Sequence, residues 1–249
     1  MDCGSDYMKL VSFAVPYTQD KRMIYAAEYL EKHGFKYTED AENCDFVLLP
    51  VPVKKEMIDS VKGKIVFYGK GDYKNGFDYM KNETYVQKNA FLTAEGAVAC
   101  LEQNTDYSLT GSKILLIGYG RIAKALHKIL CSYGSNITVC SRSSLSAAEV
   151  QFNGAKHISF SELKNPADYD IVINTVPHIV LTKDELAAQK KGVLILDLAS
   201  FPGGVDTLVA NSLKIKLING KGMPSKYTQK TAGEIIAEAV MNMIEGEKL

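Results

Sequence analysis

What this sequence withholds narrows it before any motif is read. It carries no excess charge, since 29 lysines and arginines balance 29 aspartates and glutamates across 249 residues. A chain of zero net charge is not built for wholesale binding to nucleic acid or to an anionic membrane surface. Long apolar runs are also missing: the longest are strand-sized, so no membrane-spanning helix is expected. The opening residues Met1 to Asp6 hold no cationic segment, and Leu10–Val15 is too short for a signal-peptide core. The five cysteines, Cys3, Cys44, Cys100, Cys131 and Cys140, are odd in number and form no Cys-x-x-Cys pair. Scattered in this way they read as small core residues of a reduced, cytosolic chain. The four histidines, His33, His127, His157 and His178, show no metal-ligand spacing, so no metal is expected. Tandem repeats and low-complexity stretches are absent as well.

What is present is an apolar run, Lys113-Ile-Leu-Leu-Ile117, that enters Gly118-Tyr119-Gly120-Arg121-Ile122-Ala123 directly. This is the glycine turn of a dinucleotide-binding βαβ unit. Gly118 permits the tight turn off the strand, Gly120 lets backbone amides approach a pyrophosphate, and Ala123 lets the next helix lie close to the sheet. The helix N-terminus then directs free N–H groups at the phosphates. Gly118, Tyr119, Gly120, Arg121 and Ile122 are therefore expected to bind the cofactor.

The rest of the second half alternates strands and helices. Strands are expected near 113–117, 137–140, 156–158, 171–173, 193–197 and 215–218, as short β-branched runs without polar alternation. The helix after the glycine turn puts Ile122, Ala125, Leu126, Ile129, Leu130 and Tyr133 on one face, and His127 points away from it. Thr182-x-x-Glu185 reads as a capping box. These elements predict an α/β fold, a doubly wound parallel Rossmann sheet over 105–228, with helical crossovers. Residues 1–104 predict a second, smaller α/β domain on the substrate side, with strands near 9–15, 45–49 and 64–68. A linking helix over about 93–104 ends that domain, and a C-terminal helix within 229–249 packs back near the junction.

An NAD-binding Rossmann domain carries a carboxylate at the end of its second strand to hold the ribose hydroxyls. Here Ile137–Cys140 is followed by Ser141-Arg142-Ser143-Ser144, without Asp or Glu. An arginine flanked by hydroxyls suits a 2′-phosphate, so NADP is expected over NAD, bound by Ser141, Arg142 and Ser143. The other strand ends read Asn174-Thr175-Val176-Pro177-His178, Asp197-Leu198-Ala199-Ser200-Phe201-Pro202-Gly203-Gly204 and Asn219-Gly220-Lys221-Gly222-Met223-Pro224. Asn174, Thr175, Val176, Pro177, Asp197, Ala199 and Ser200 are expected at the cofactor crevice. Thr93-Ala94-Glu95-Gly96 and Lys230-Thr231-Ala232-Gly233 each place a hydroxyl and a glycine at an expected helix start, where anions are favoured. Thr93, Gly96, Thr231 and Gly233 are thus candidates for substrate binding. Lys230 is a candidate for a substrate carboxylate, Glu95 for the proton acceptor, and His178 for an acid/base role.

Taken together, these stretches resemble the A-subunit family of bacterial dipicolinate synthases. The match runs in order from about residue 90 to about residue 240. Asp197-Leu-Ala-Ser-x-Pro-Gly-Gly204 and Lys230-Thr-Ala-Gly233 are its most specific elements, and Thr105-Asp106-Tyr107 adds to it. The resemblance implies an NADP-dependent oxidoreductase of the mother-cell cytoplasm in sporulating bacteria. It would oxidise a dihydrodipicolinate-type diacid to dipicolinate, as a homo-oligomer that works with a second, flavoprotein-like B subunit. Two features depart from the family: Ser225–Gln229 stands where a Gly-x-Val-Ala-Pro pattern is usual, and His178 stands where a small residue is usual. The part before residue 90 also reads as shorter than the family's by about one βα unit.

Other chemistries draw on some of the same residues. A D-2-hydroxyacid dehydrogenase needs an arginine after the fifth strand and a Glu–His pair, but 197–204 holds no arginine and no histidine follows His178. A shikimate-dehydrogenase-like enzyme also uses an Asn-Thr-x-Pro loop with NADP, together with a lysine–aspartate pair that is not evident in the first domain. A non-catalytic nucleotide-binding subunit of a complex is the reading outside enzyme chemistry.

Overall fold

Short β-branched and aromatic runs become strands wherever a helix can cover them, and this chain builds two such parallel sheets. The computed structural model describes residues 11–247 except 62, 72, 75, 166 and 167. It divides into Met1–Asn89 with Thr228–Leu249, and Ala90–Tyr227. The sequence suggests its first division later, at 104/105.

The first unit runs β1 (Ser12–Ala14), α1 (Lys21–Lys32), β2 (Lys36–Tyr37), β3 (Phe46–Leu48), α2 (Lys55–Asp59), β4 (Ile65–Tyr68), β5 (Gly76–Asp78) and the start of α3 (Glu83–Asn104). Its strands are all parallel, in the order β2-β1-β3-β4-β5. One row of phenylalanines crosses the sheet. Phe13 stacks on Phe46 at 5.6 Å, Phe46 meets Phe67 edge-on at 5.2 Å, and Phe67 stacks on Phe77 at 5.2 Å. Such pairs add to the burial of their rings. Asp20 caps α1 by accepting from the Arg22 backbone N–H at 3.1 Å. The C-terminal helix, Gln229–Glu247, lies against α1.

The second unit continues with β6 (Lys113–Ile117), α4 (Arg121–Ser132), β7 (Asn136–Cys140), α5 (Ser144–Phe152), β8 (Lys156–Ile158), β9 (Ile171–Asn174), α6 (Lys183–Ala187), β10 (Leu194–Asp197), α7 (Thr207–Ser212), β11 (Lys216–Asn219) and α8 (Met223–Tyr227). Its six strands are parallel in the order β11-β10-β9-β6-β7-β8. This is the doubly wound Rossmann arrangement expected from the sequence, and the strands fall where they were expected to within a residue. Ile114 and Leu116 bury one face with Ala125, Leu126 and Leu130 of α4. Leu115 and Ile117 bury the other with Val172, Ile195 and Leu186. The chain moves outward from β6 to β8, then returns to pair β9 beside β6, so the order reverses between β6 and β9. Ligands of such sheets lie outside the carboxyl ends of the strands at that reversal.

Four local expectations need correction. The helix placed at 93–104 begins at Glu83, because Asn82 Oδ1 accepts from the Tyr85 N–H at 2.9 Å and caps it upstream. The crossover from β8 to β9 is a 3-10 turn, Phe160–Lys164, rather than an α-helix. His127 is buried at 3% exposure instead of facing away from the core, since Tyr119 folds back to meet it. Cys131 is exposed, whereas Cys44, Cys100 and Cys140 are buried as expected; Cys3 lies outside the described residues. No helix among the described residues is long and apolar enough to cross a membrane.

A candidate dinucleotide site at the strand ends

The glycine turn follows from its neighbours. Gly118 has φ +93°, a left-handed conformation that favours glycine. Its amide donates to Cys140 O at 2.9 Å, which ties the turn to the end of β7. A Cβ on Gly118 would collide with Thr175 Oγ1, so the loop after β9 closes directly over it. Thr175 is held there twice, by its amide at 2.9 Å and its hydroxyl at 2.8 Å, both donating to Ile117 O.

Gly120 is the N-cap of α4 and, as a glycine, brings no side chain to cap that helix. A Cβ built on Gly120 would meet nothing within 4 Å. The position is an open cradle at the start of a 12-residue helix. Ala123, fully buried, lets α4 lie close to the sheet. A pyrophosphate fits this geometry, because the orphan N–H groups and the helix dipole favour negative charge there. Arg121 and Ile122 form the first turn of α4, with Ile122 packed on the core.

Tyr119 does something the sequence does not suggest. Its hydroxyl lies 2.8 Å from Nδ1 of His127, and Lys124 Nζ sits 5.5 Å from the centre of its ring. The side chain is thus held back along α4. Burial pushes the Tyr119 phenol up and the His127 imidazole down from their ordinary values, the latter opposed by the carboxylate of Glu149. Among the described residues, His127 Nε2 is buried without a hydrogen-bond partner.

The loops after β9 and β10 are joined by their own side chains. Asn174 is fully buried, donating to Val176 O at 3.0 Å and to Asp197 Oδ1 at 2.8 Å and accepting from the Val176 N–H at 3.1 Å. Asp197 also accepts from Ala199 N at 3.2 Å and from Gly204 N at 3.0 Å. Asn174 and Asp197 therefore shape the crevice wall. Pro177, His178 and Ser200 are exposed along it.

At the end of β7, Arg142 is exposed and Ser141 is 6% exposed. Ser143 caps α5 by accepting from the Ser146 N–H at 3.0 Å. Ser141 Oγ lies 3.0 Å from Nε2 of His157 on β8. No motif singles out His157, because the contact joins two strands and leaves no local pattern.

Thr93, Glu95 and Gly96 lie in the interior of α3, so their candidacy no longer rests on a helix start. Thr93 is buried and Glu95 exposed. A Cβ on Gly96 would come 2.9 Å from Met223 Cβ, which makes it a contact point for α8. In the first unit, Lys230 and Thr231 are exposed in the opening turn of the C-terminal helix. Gly233 is a close-approach position: a Cβ there would collide with Arg22 O of α1.

A cavity of about 620 Å³ does not coincide with this site. Lys113, Asn136 and Lys156, at the amino ends of their strands, line it, so it sits at the opposite edge of the sheet. The carboxyl edge, where ligands of doubly wound sheets lie, is the candidate nucleotide site, whatever the volume at the other.

Comparison with known proteins agrees with this geometry. Residues 77–206 match the family described as D-isomer specific 2-hydroxyacid dehydrogenase, NAD binding domain. The chain belongs to that family of nicotinamide-dependent dehydrogenase domains. It is 35% identical over 157 residues to the dipicolinate synthase A subunit of Bacillus subtilis, covering 63% of this chain and 53% of that protein. It is also 30% identical over 192 residues to a glutamyl-tRNA reductase of Cenarchaeum symbiosum, covering 68% and 46%. The chain spans about half the length of these relatives.

Among solved structures, the dipicolinate synthase A subunit of Bacillus halodurans superposes with a TM-score of 0.83 at 22% identity, over 95% of this chain and 99% of that one. D-lactate dehydrogenase of Escherichia coli does so with 0.62 at 16%, over 95% and 97%. At those identities the superpositions speak to the fold. The likeness to the dipicolinate synthase A subunits, expected from the motifs, is thereby found in both sequence and fold, and the oxidoreductase class agrees with the matched family.

Proposed function

We propose that this chain is an NADP-dependent oxidoreductase that oxidises a dihydrodipicolinate-type diacid to dipicolinate, as the A subunit of a dipicolinate synthase. The observation that carries the reading is the open cradle at Gly120, closed on one side by Thr175 over Gly118. The 35% identity to the Bacillus subtilis protein points to the substrate. The exposed Arg142 after β7, with no carboxylate in its loop, supports NADP over NAD.

Bound NADP would supply the hydride acceptor, and removal of a hydride and a proton from the dihydro diacid would leave an aromatic ring. The protein's part is positioning. The N-terminus of α4 and Gly118–Ile122 would hold the pyrophosphate, and Ser141 and Arg142 would take the 2′-phosphate, with Ser143 lining the same loop at the start of α5. Thr175, Val176, Pro177, Ala199 and Ser200 would border the nicotinamide end, on loops held by Asn174 and Asp197. For the substrate, Lys230 with Thr93, Gly96, Thr231 and Gly233 are the proposed binding residues, Glu95 is the proposed proton acceptor, and His178 is the alternative acid/base group. The B subunit of the synthase is the proposed partner, with a homo-oligomer in the mother-cell cytoplasm as the setting.

Purified chain, with and without the B subunit, is given NADP and freshly generated 4-hydroxytetrahydrodipicolinate, which yields the dihydro form by loss of water. Formation of NADPH and dipicolinate is the expected result. Tight NADPH binding without turnover in either condition supports a non-catalytic nucleotide-binding role instead. Turnover on shikimate or a 2-hydroxy acid overturns the dipicolinate assignment.

A further inference from the structure

Ser141 is the first residue past the carboxyl end of β7, and it is nearly buried. β7 and β8 pair in parallel with Val139 opposite His157. Side chains two apart on a strand share a face, so Val139, Ser141 and His157 lie on one side of the sheet. This brings Ser141 Oγ within 3.0 Å of His157 Nε2. The other hydroxyl beside Arg142 is already engaged, since Ser143 accepts from the Ser146 N–H and donates to Ser146 Oγ at 3.2 Å. The Ser141 hydroxyl is therefore directed from outside its loop, by a neighbouring strand.

A serine hydroxyl has one proton and two lone pairs. If Nε2 of His157 accepts, that proton is committed to the imidazole and the lone pairs remain for an incoming group. If Nε2–H donates, the proton is left to point elsewhere. A phosphate offers only acceptors, so it is compatible with the second arrangement alone. The ionised carboxylate of Glu162 lies in electrostatic reach of His157, with Lys156 beside it as the opposing charge.

We propose that His157 is a positioning residue for nucleotide specificity, which donates to Ser141 and turns its hydroxyl proton toward the 2′-phosphate of NADP(H). The proposal rests on the NADP reading above. NAD(H) carries a hydroxyl at that position, which donates as readily as it accepts, so the same tie does not discriminate for it. His157 touches no ligand itself and acts through Ser141.

The test is the ratio of dissociation constants for NADPH and NADH, measured by titration calorimetry on the full chain. One charge-assisted hydrogen bond corresponds to a change of about tenfold or more. His157→Phe is expected to weaken NADPH by about that factor while NADH changes little. His157→Gln, whose amide N–H reaches the place of Nε2, restores most of the preference. Ser141→Ala reproduces the His157→Phe loss, and it decides the matter if the phenylalanine variant does not fold. Equal losses for both nucleotides in His157→Phe, or an unchanged ratio in Ser141→Ala, overturn the proposal. A wild type that prefers neither nucleotide overturns the NADP reading and this inference with it. A wild-type preference that survives His157→Phe overturns this inference alone.

Discussion

Thr175 Oγ1 stands where a side chain on Gly118 would have to be, in direct collision with the Cβ that any other residue would bring. The threonine cannot retreat easily, because its hydroxyl and its amide both donate to Ile117 O. Gly118→Ala therefore meets two penalties, the clash and an alanine at φ +93°. The expected outcome is a loss of at least about 1 kcal/mol in urea unfolding, with NADPH binding weakened beyond detection. An unchanged midpoint would mean that the loop after β9 gives way freely.

The Asn174–Asp197 bond makes a second, separable prediction. Asn174→Ala strips a fully buried residue of its hydrogen bonds and leaves the amide and carbonyl of Val176 without their side-chain partner. Destabilisation of about 1–3 kcal/mol is expected, measured by thermal or urea unfolding. Nucleotide affinity should fall as well, because the wall shaped by both loops loosens. A stable variant with wild-type affinity would show that these loops hold their form without it.

Much of the Rossmann half is readable from spacing, and the reason is physical. Six short β-branched runs without polar alternation, separated by helical segments, suit a parallel sheet covered on both faces, and Gly118-x-Gly120 follows a strand directly. What was not readable depends on contacts between distant segments. Glu95 and Gly96 look like a helix start until Asn82 is seen capping the same helix upstream. The close approaches at Gly96 and Gly233 are equally invisible in the sequence, since each has backbone or side-chain atoms of a distant segment where its Cβ would go. His127 and His157 carry no motif, and only the fold brings them to Tyr119 and Ser141.

Gly233 makes a packing prediction in the first unit. A Cβ there would press on Arg22 O and come 2.7 Å from Tyr25 Cβ, both in α1. Helix backbones do not yield to such contacts without moving apart, so Gly233→Ala should cost about 1–3 kcal/mol. Differential scanning calorimetry reads the loss. A variant of unchanged stability that loses only turnover would show that Gly233 serves the substrate and not the helix contact.

Arg142 is the exposed cation of the loop after β7. If it pairs with a 2′-phosphate, Arg142→Ala should weaken NADPH by roughly ten- to a hundredfold, the worth of a charge-assisted bond. NADH should be nearly unaffected, and raised salt should narrow the difference between the two nucleotides in the wild type. Parallel titrations with both nucleotides provide the check. Equal affinity for the two in the unaltered protein, or a preference that persists in the variant, would remove Arg142 from this role.

The buried His127 should make folding sensitive to mild acid. Burial lowers its proton affinity in the folded chain, with Glu149 acting in the other direction. An unfolded histidine takes up a proton near ~6.5, whereas the folded one does so only at lower pH. Between those two values the unfolded chain holds more protons, so stability is complete above ~6.5 and is lost as pH falls toward the folded value. Asp170, despite a burial that opposes ionisation, is held below the ordinary aspartate range by Lys190 at 2.6 Å. Its contribution fades only at a lower pH still. Melting temperatures measured from about pH 8 to about pH 5 should therefore decline in the wild type through the histidine window. His127→Asn, whose side-chain amide reaches the place of Nδ1, keeps a polar partner for the Tyr119 hydroxyl but does not titrate, and it should flatten that decline. An identical slope in the variant would assign the acid sensitivity to other groups.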